Sequence, residues 1–384
     1  MPIVSLVFAL VVQGQSPETF AQTWETIESS IRRSYYGRYD RKTEMENRLT
    51  AYEPAVLASK SRPEFRDVVN KMISEFHDSH FEFDIVGDQG YYINDSFSRA
   101  PAAPMANIGA WFKKTADGYT VQMVLEGSAA ERAGLHKGDL MISIDGQPFT
   151  PVQGFEPDVS KTARVKFVDT GKTIEQDVAV VKEPALQMFL EGTIQSEREF
   201  DMPDGRKFGY MHPWTLVSND FRKAVHQAVE GRFANTDGFI LDLRDGFGGR
   251  PEGFDDAFLP SSTREGEKPG YTKPLVVLIN EGSRSAREVL SYKLRKAGRA
   301  TLIGRKTAGK VLGTMPFRVN SWSTLEIPIV NVKIEGVRLE GVGVNPDLDV
   351  PQERDANGTD LDIEEGVRYL KTHTPTPIAL HKVA

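Results

Sequence analysis

Two continuous apolar runs in the second half of the chain, FILDL (239–243) and PLVVLI (274–279), constrain the fold most. Strands covered by helices on both faces show this pattern, whereas strands with one wet face alternate apolar and polar residues. A third strand, TLIG (301–304), follows a helical stripe of Ala286, Val289, Leu290, Leu294 and Ala297. Residues 183–350 are therefore predicted to form an α/β core.

Helical spacing dominates the first hundred residues. Ser16 and Pro17 are a good N-cap and first-turn pair, and apolar residues then recur at positions 20, 24, 27 and 31. A second helix is indicated by one apolar face made of Phe65, Val68, Val69, Met72, Ile73 and Phe76. We expect residues 15–105 to be a mainly helical region.

Short β-like runs and glycine turns follow the segment RAPAAPMA (99–106). The runs YTVQMVL (119–125) and DLMISID (139–145) are the clearest, and we expect a β-rich domain over 106–182. Beyond the core, we expect 351–384 to be a polar extension with one helix near 362–373.

Composition narrows the function. A chain of 384 residues exceeds one comfortable core, so two or three domains are expected. The net charge of −7 gives no basic footprint, so nucleic acid is not an expected partner. The absence of cysteine excludes thiol catalysis and disulfides. His77 and His80 lack further ligands at diagnostic spacing, and we predict neither a metal site nor a cofactor.

The first apolar run, Pro2 to Val12, is too short to span a bilayer but suits the core of a signal peptide over 1–14. No Lys or Arg precedes Arg32, so the usual positive charges are missing. We expect export to a periplasmic or extracellular location. The alternative is a buried N-terminal segment in a cytoplasmic protein.

Ser285 is the candidate for nucleophilic chemistry, because it stands where a buried strand turns into a helix. Backbone N–H groups are unpaired there and the helix dipole favours negative charge, so an oxyanion could be held. A second donor could come from the glycine pair in LDLRDGFGGR (241–250). Taken alone, such a serine is usually only an N-cap, and the G-x-S-x-G elbow is absent.

Four blocks in order resemble the tricorn-core and carboxyl-terminal processing family of serine peptidases. They are DLRDGFGG (242–249), LINEGSRSAREVL (278–290), GRATLIGRKTAG (298–309) and GVGVNPDLDV (341–350). The resemblance implies a ClpP/crotonase-like core without cofactors, peptide or protein substrates, and a possible oligomer. It makes Ser285 the nucleophile, with the amides of Ala286 and of Gly248 or Gly249 as the oxyanion hole.

The segment GSAAERAGLHKGDLMISIDGQPF (127–149) resembles a PDZ domain, as such peptidases carry. ANIGAW (106–111) stands where those domains have a carboxylate-binding loop. The resemblance implies that the backbone at Ile108, Gly109 and Ala110 binds a peptide carboxylate. The alternative is a PDZ domain that only packs or gates.

The family has two ways to activate the serine, and the sequence holds parts of both. Lys310 matches the lysine of the processing branch, but the Gly and Gln that normally follow are Val311 and Thr314 here. HDSHFEF (77–83) and LEGVGVNPD (339–347) resemble the tricorn segments, which would make His80 the base, with Ser79 and Glu340 orienting or polarising it. We favour the histidine set.

Two other functions remain open at this point. Some proteins of the same fold bind ligands without catalysis, and a PDZ scaffold with an inert core would bind peptide termini without turnover. The serine, the candidate base and the glycine pair favour the enzyme.

Overall fold

The computed structural model describes residues 19–259, 270–355 and 358–375. The N-terminal region contains α1 (Phe20–Ser34), α2 (Lys42–Leu57), α3 (Arg62–Ser74), β1 (Glu82–Ile85) and α4 (Gln89–Ser98). Thr19 caps α1 in a capping box with Gln22; the predicted cap at Ser16 and Pro17, like the predicted signal peptide, lies outside the described residues.

A five-stranded antiparallel path forms the β-rich domain, in the order β3-β4-β5-β7-β8. Its own core includes Phe155, Val165 and Phe167, all fully buried. Its elements are β2 (Met105–Asn107), β3 (Ala110–Thr115), β4 (Gly118–Val124), α5 (Ala129–Arg132), β5 (Leu140–Ile144), β6 (Gln147–Pro148), β7 (Thr162–Asp169), β8 (Lys172–Ala179) and β9 (Val181–Glu183).

The remaining α-helices and strands of the described residues follow β9 in the chain. They are α6 (Ala185–Gln195), β10 (Arg198–Asp201), β11 (Lys207–Met211), α7 (Asn219–Gln227), β12 (Gly238–Asp242), β13 (Leu275–Ile279), α8 (Ala286–Lys296), β14 (Thr301–Gly304), β15 (Gly313–Arg318), β16 (Ser323–Val330), β17 (Leu348–Asp349) and α9 (Leu361–His373).

The α/β core is a six-stranded sheet in the order β10-β11-β12-β13-β14-β17. Within this sheet, neighbouring strands among β11, β12, β13, β14 and β17 are parallel, and β10 is antiparallel to β11. Every residue of β12 and β13 is buried, as their continuous apolar runs predicted. The predicted helix near 362–373 is α9, which packs on β12, β13 and β14.

The hairpin β15–β16 is not part of this sheet. It pairs with β1, with Phe83 opposite Leu325. Trp322, Leu325 and Ile327 are buried among the N-terminal helices. The range 183–350, predicted as the core, therefore includes a hairpin that belongs by packing to the N-terminal region.

Parallel strands place the loops after their carboxyl ends along one edge of the sheet. Here β12, β13 and β14 are neighbours, so the loops that follow them lie side by side. They begin at residues 243, 280 and 305. Among the described residues, no helix is both long enough and apolar enough to cross a membrane.

Candidate active site

Ser285 sits in a strained turn at the start of α8. Its φ of 59° and ψ of −129° are uncommon for a residue with a side chain. The preceding loop is locked, because Ser283 Oγ donates to Leu243 O at 2.6 Å and accepts from Asn280 N. Ser285 N donates to Lys310 O at 2.7 Å. The turn thus joins the loops after β12, β13 and β14.

Glu288 holds the turn at Ser285 against the loop after β14. Its fully buried carboxylate accepts hydrogen bonds from Thr307 Oγ1 at 2.6 Å, Gly309 N at 2.7 Å and Lys310 N at 2.9 Å. It also accepts from Ser285 N at 3.2 Å. Burial raises the pKa of Glu288, against the opposing effect of these donors. The Glu288 carboxylate thus links the turn at Ser285 to the loop after β14.

The glycine pair lies directly against the serine side chain. A Cβ at Gly248 would stand 2.6 Å from Ser285 Oγ, and one at Gly249 (φ 139°) would stand 2.2 Å from the Leu216 carbonyl carbon. Only glycine fits either position. No described residue accepts a hydrogen bond from the amides of Gly248, Gly249 or Ala286. The predicted oxyanion groups are therefore gathered around one hydroxyl.

A cavity of about 1130 Å³ opens in front of Ser285. Gly249 and Ala286 line it beside the serine, and Phe254 and Val311 are among the apolar side chains of its walls. It is slightly larger than the usual ligand cleft of about 300–1,000 Å³. An extended chain of several residues has room to lie across the serine.

His80 comes to the same place from the N-terminal region. Its Nε2 lies 3.0 Å from Lys310 O, the oxygen that also accepts from Ser285 N. Burial, and then the charge of Arg284, lower the pKa of His80 to about 3, so the ring is neutral at pH 7. In this state the ring faces the carbonyl, and no hydrogen bond joins it to Ser285 Oγ.

Ser79 and Glu340 form a direct pair. Ser79 Oγ donates to Glu340 Oε2 at 3.0 Å. The same oxygen accepts from Val311 N at 2.5 Å and Leu312 N at 3.0 Å. Glu340 therefore anchors both the residue next to His80 and the loop that His80 contacts.

Lys310 contributes its backbone to the site. Its side chain is exposed, and within the described part of the chain it makes no hydrogen bond or ion pair with a side chain of the site. Its carbonyl and amide are the groups that contact His80, Ser285 and Glu288. The Lys310 carbonyl thus links His80 to Ser285, whereas its ammonium makes no bond to these two residues.

The loop predicted to bind a peptide carboxylate is already hydrogen-bonded to a side chain of the protein. The amides of Gly109 and Ala110 donate to Oδ1 of the fully buried Asn107, at 2.5 and 3.0 Å. On the adjoining edge of β3, the Gln89 side chain accepts from Phe112 N at 2.9 Å and donates to Ala110 O at 3.2 Å. A peptide carboxylate at Ile108, Gly109 and Ala110 would have to displace Asn107.

The β-rich domain docks beside the loop that follows β12 through charged side chains. Lys137 Nζ contacts Asp245 at 2.9 Å. Glu126 contacts His212 Nδ1 at 3.0 Å, and His212 Nε2 lies 3.0 Å from Arg244 O. The two bonds of His212 thus join Glu126 to the loop after β12. The sequence did not indicate Lys137 and Glu126 as contact residues, because the pattern of charged residues in a sequence does not show which groups they will pair with.

Three PDZ-region residues have metal-ligating side chains close together. The ligand atoms of His136, Asp139 and Asp169 lie within 4.8 Å of one another. Asp139 is buried and accepts from His136 N at 2.8 Å. That bond caps the turn before β5, and we assign Asp139 this structural role.

Comparison with known proteins agrees with this architecture. Residues 207–350 match the model of peptidase family S41, and residues 104–157 match that of the PDZ domain. A carboxyl-terminal-processing protease of Synechocystis is 28% identical over 59% of this chain and 58% of its own length. Carboxyl-terminal-processing peptidase 3 of Arabidopsis thaliana is 30% identical over 59% of this chain and 50% of its own length.

Among solved structures, the photosystem II D1 C-terminal processing protease aligns with a TM-score of 0.56 at 18% identity. The alignment covers 89% of this chain and 96% of that one. The architecture is thus an S41 protease fold with a PDZ domain. These matches confirm the resemblance seen in the sequence, and the chain spans about half the length of the two curated relatives named above.

Proposed function

We propose that the protein is a serine peptidase that hydrolyses peptide bonds through an acyl-enzyme on Ser285. The observation that carries the proposal is the strained serine turn, packed against Gly248 and open to the large cavity. In this mechanism Ser285 Oγ attacks the peptide carbonyl. The amides of Ala286 and of Gly248 or Gly249 receive the negative oxygen.

His80 is the general base in this proposal, and Ser79 and Glu340 orient it. The pair Ser79–Glu340 and the shared contact with Lys310 O support this assignment. Nε2 of the neutral ring carries the proton that bonds Lys310 O. When substrate binds, His80 must therefore leave that carbonyl and hold its proton on Nδ1, so that Nε2 can accept the proton of the serine hydroxyl; catalytic hydrogen bonds often form fully only in the complex. Lys310 serves through its backbone in this reading, and the lysine dyad is the alternative.

Substrates are proposed to be peptides or proteins, because the curated relatives are carboxyl-terminal processing proteases. We further propose a ClpP/crotonase-type core and a possible oligomer. Export directed by the apolar run in residues 1–14 is also a proposal. It is compatible with a relative described as chloroplastic.

The test is covalent labelling with a fluorophosphonate probe together with hydrolysis of fluorescent casein. We expect the wild type to be labelled and active. Ser285→Ala should lose the label and at least about 10³-fold of turnover, because the members of a catalytic unit fail together. Ser291→Ala, on the buried side of the same helix, is the matched control and should keep both. Labelling that persists in a folded Ser285→Ala protein would contradict the proposal.

A further inference from the structure

Arg287 is a buried cation two residues after the nucleophile. Its side chain is fully buried. Among the described residues, no carboxylate lies within ion-pair distance of its guanidinium. A buried charge without an ion partner is costly unless other groups satisfy it. The groups that do so here are all backbone carbonyls.

Those carbonyls belong to the two segments that frame the oxyanion amides. The guanidinium donates to Phe247 O at 3.1 Å, to Arg244 O at 3.2 Å and to Pro213 O. A Cβ at Gly246 would stand 2.6 Å from Nη2, so the loop closes tightly over the cation. Arg287 therefore fixes the backbone from 244 to 247 against the segment at 213.

The bond to Phe247 O has a specific electronic consequence. The carbonyl of Phe247 and the N–H of Gly248 belong to one peptide group. A hydrogen bond received at the oxygen polarises that group and makes its N–H a stronger donor. Gly248 is the residue packed against Ser285 Oγ.

The next peptide group is treated in the same way. Gly248 O accepts from Leu216 N at 2.9 Å and from Thr215 Oγ1 at 2.8 Å, so the N–H of Gly249 is polarised too. Both candidate donors are thus backed by hydrogen bonds at their carbonyls. Only the bond behind Gly248 comes from a full positive charge.

We propose that Arg287 is a positioning residue of the oxyanion hole, which orients the Phe247–Gly248 peptide group and strengthens its N–H toward the tetrahedral intermediate. The inference rests on the proposed peptidase function. Its effect belongs to the transition state, because negative charge on the substrate oxygen develops only there. Burial lowers the pKa of Arg287 to about 10, so the cation persists at neutral pH.

The experiment compares Arg287→Met with Arg299→Met. Arg299 is the matched control, because it also donates to two carbonyls, Phe258 O at 2.9 Å and Tyr271 O at 2.8 Å, beyond the far end of α8. With fluorescent casein, Arg287→Met should lower kcat roughly 10- to 100-fold and leave KM within about threefold. The Arg299 variant should keep the wild-type kcat.

A peptide boronic acid supplies the readout that a merely structural role would not move. Its adduct with the serine is a tetrahedral anion, so its inhibition constant should rise in Arg287→Met by about the same factor as kcat falls. If that variant does not fold, Arg287→Lys, which keeps the charge and loses the fork, should show the same paired change at smaller size.

The outcomes separate the two claims. A fall in kcat with an unchanged boronate inhibition constant would contradict the role of Arg287. So would wild-type values of both in a folded Arg287→Met or Arg287→Lys protein. A wild type that neither hydrolyses casein nor binds the boronate would contradict the peptidase function itself.

Discussion

Ser285 has a backbone conformation that costs about 1–3 kcal/mol for a residue with a side chain. The surrounding bonds over-determine it, since Lys310 O and Glu288 both accept from its amide. The strain lifts the hydroxyl out of the helix start and presents it to Gly248 and the cavity. An ordinary N-cap serine would instead turn its hydroxyl to the helix amides.

At this scale we predict a ranking of base variants. His80→Ala should lower turnover of casein by about 10³-fold or more, because among the described residues no other imidazole contacts Lys310 O. Glu340→Gln should cost less but still substantially, since it weakens the hold on Ser79, Val311 and Leu312. Lys310→Met should remain active, because its backbone contacts are kept.

Circular dichroism and turnover of the three variants beside Ser285→Ala decide this ranking. An inactive Lys310→Met with a near-normal His80→Ala would reverse it and favour the lysine dyad.

The sequence predicted some of these residues and was silent on others. Ser285, Gly248 and the pair Ser79–Glu340 emerged from motif resemblance. Arg287, Glu288 and Gln89 did not, because each acts on backbone groups of another segment. Asn107 did not either, because it acts on the backbone of Gly109 and Ala110. A backbone partner leaves no trace in the residue types around it.

Among the elements, those with a clear hydrophobic pattern were predicted well. The buried strands β12, β13 and β14 and the helix α8 lie within a residue or so of their expected bounds. The hairpin β15–β16 was placed in the core because it lies between core segments. Its partner β1 is far upstream, and local periodicity holds no information on such pairing.

The edge strand β3 carries the next prediction. Gln89→Ala should speed hydrogen exchange of the Phe112 amide, and Asn107→Gly should speed exchange at Gly109 and Ala110, because each substitution removes the acceptor of those amides. Each change should also cost about 1–3 kcal/mol of stability, since it leaves buried amides unpaired. Exchange followed by mass spectrometry or NMR measures both effects.

Asn94→Ala is the control for this prediction. Asn94 is another buried amide of α4, and it donates to Asp84 rather than to the PDZ strand. It should lose stability while exchange at residues 109–112 stays as in the wild type. Slow exchange that survives in both Gln89→Ala and Asn107→Gly would show that these side chains do not close the edge.

At the scale of the whole molecule, the PDZ region and the core meet through a titratable pair. Burial opposes the charged form of His212, but the carboxylates of Asp242 and Glu126 outweigh it and raise the pKa of His212. The contribution is fully present below the unfolded pKa of about 6.5 and is lost as pH rises through the folded value.

We therefore predict that Glu126→Gln destabilises the protein by about 1.5–3 kcal/mol near pH 6, because it removes a charge-assisted bond. The difference from wild type should shrink as pH rises through the raised folded pKa of His212, where the ring loses its charge. Chemical unfolding at several pH values measures it. A difference that grows with pH would contradict the assigned direction.

The proposed catalytic set is drawn from both sides of the PDZ insertion. Ser79 and His80 precede β1, whereas Ser285 follows β13 and Glu340 follows β16. During synthesis the N-terminal part leaves the ribosome first. His80 therefore cannot contact the other residues of the proposed set until the last of these segments has emerged. A nascent chain, or a product of interrupted translation that ends before Glu340, therefore lacks the assembled set, so the order of the sequence would delay the proposed activity until Glu340 has emerged.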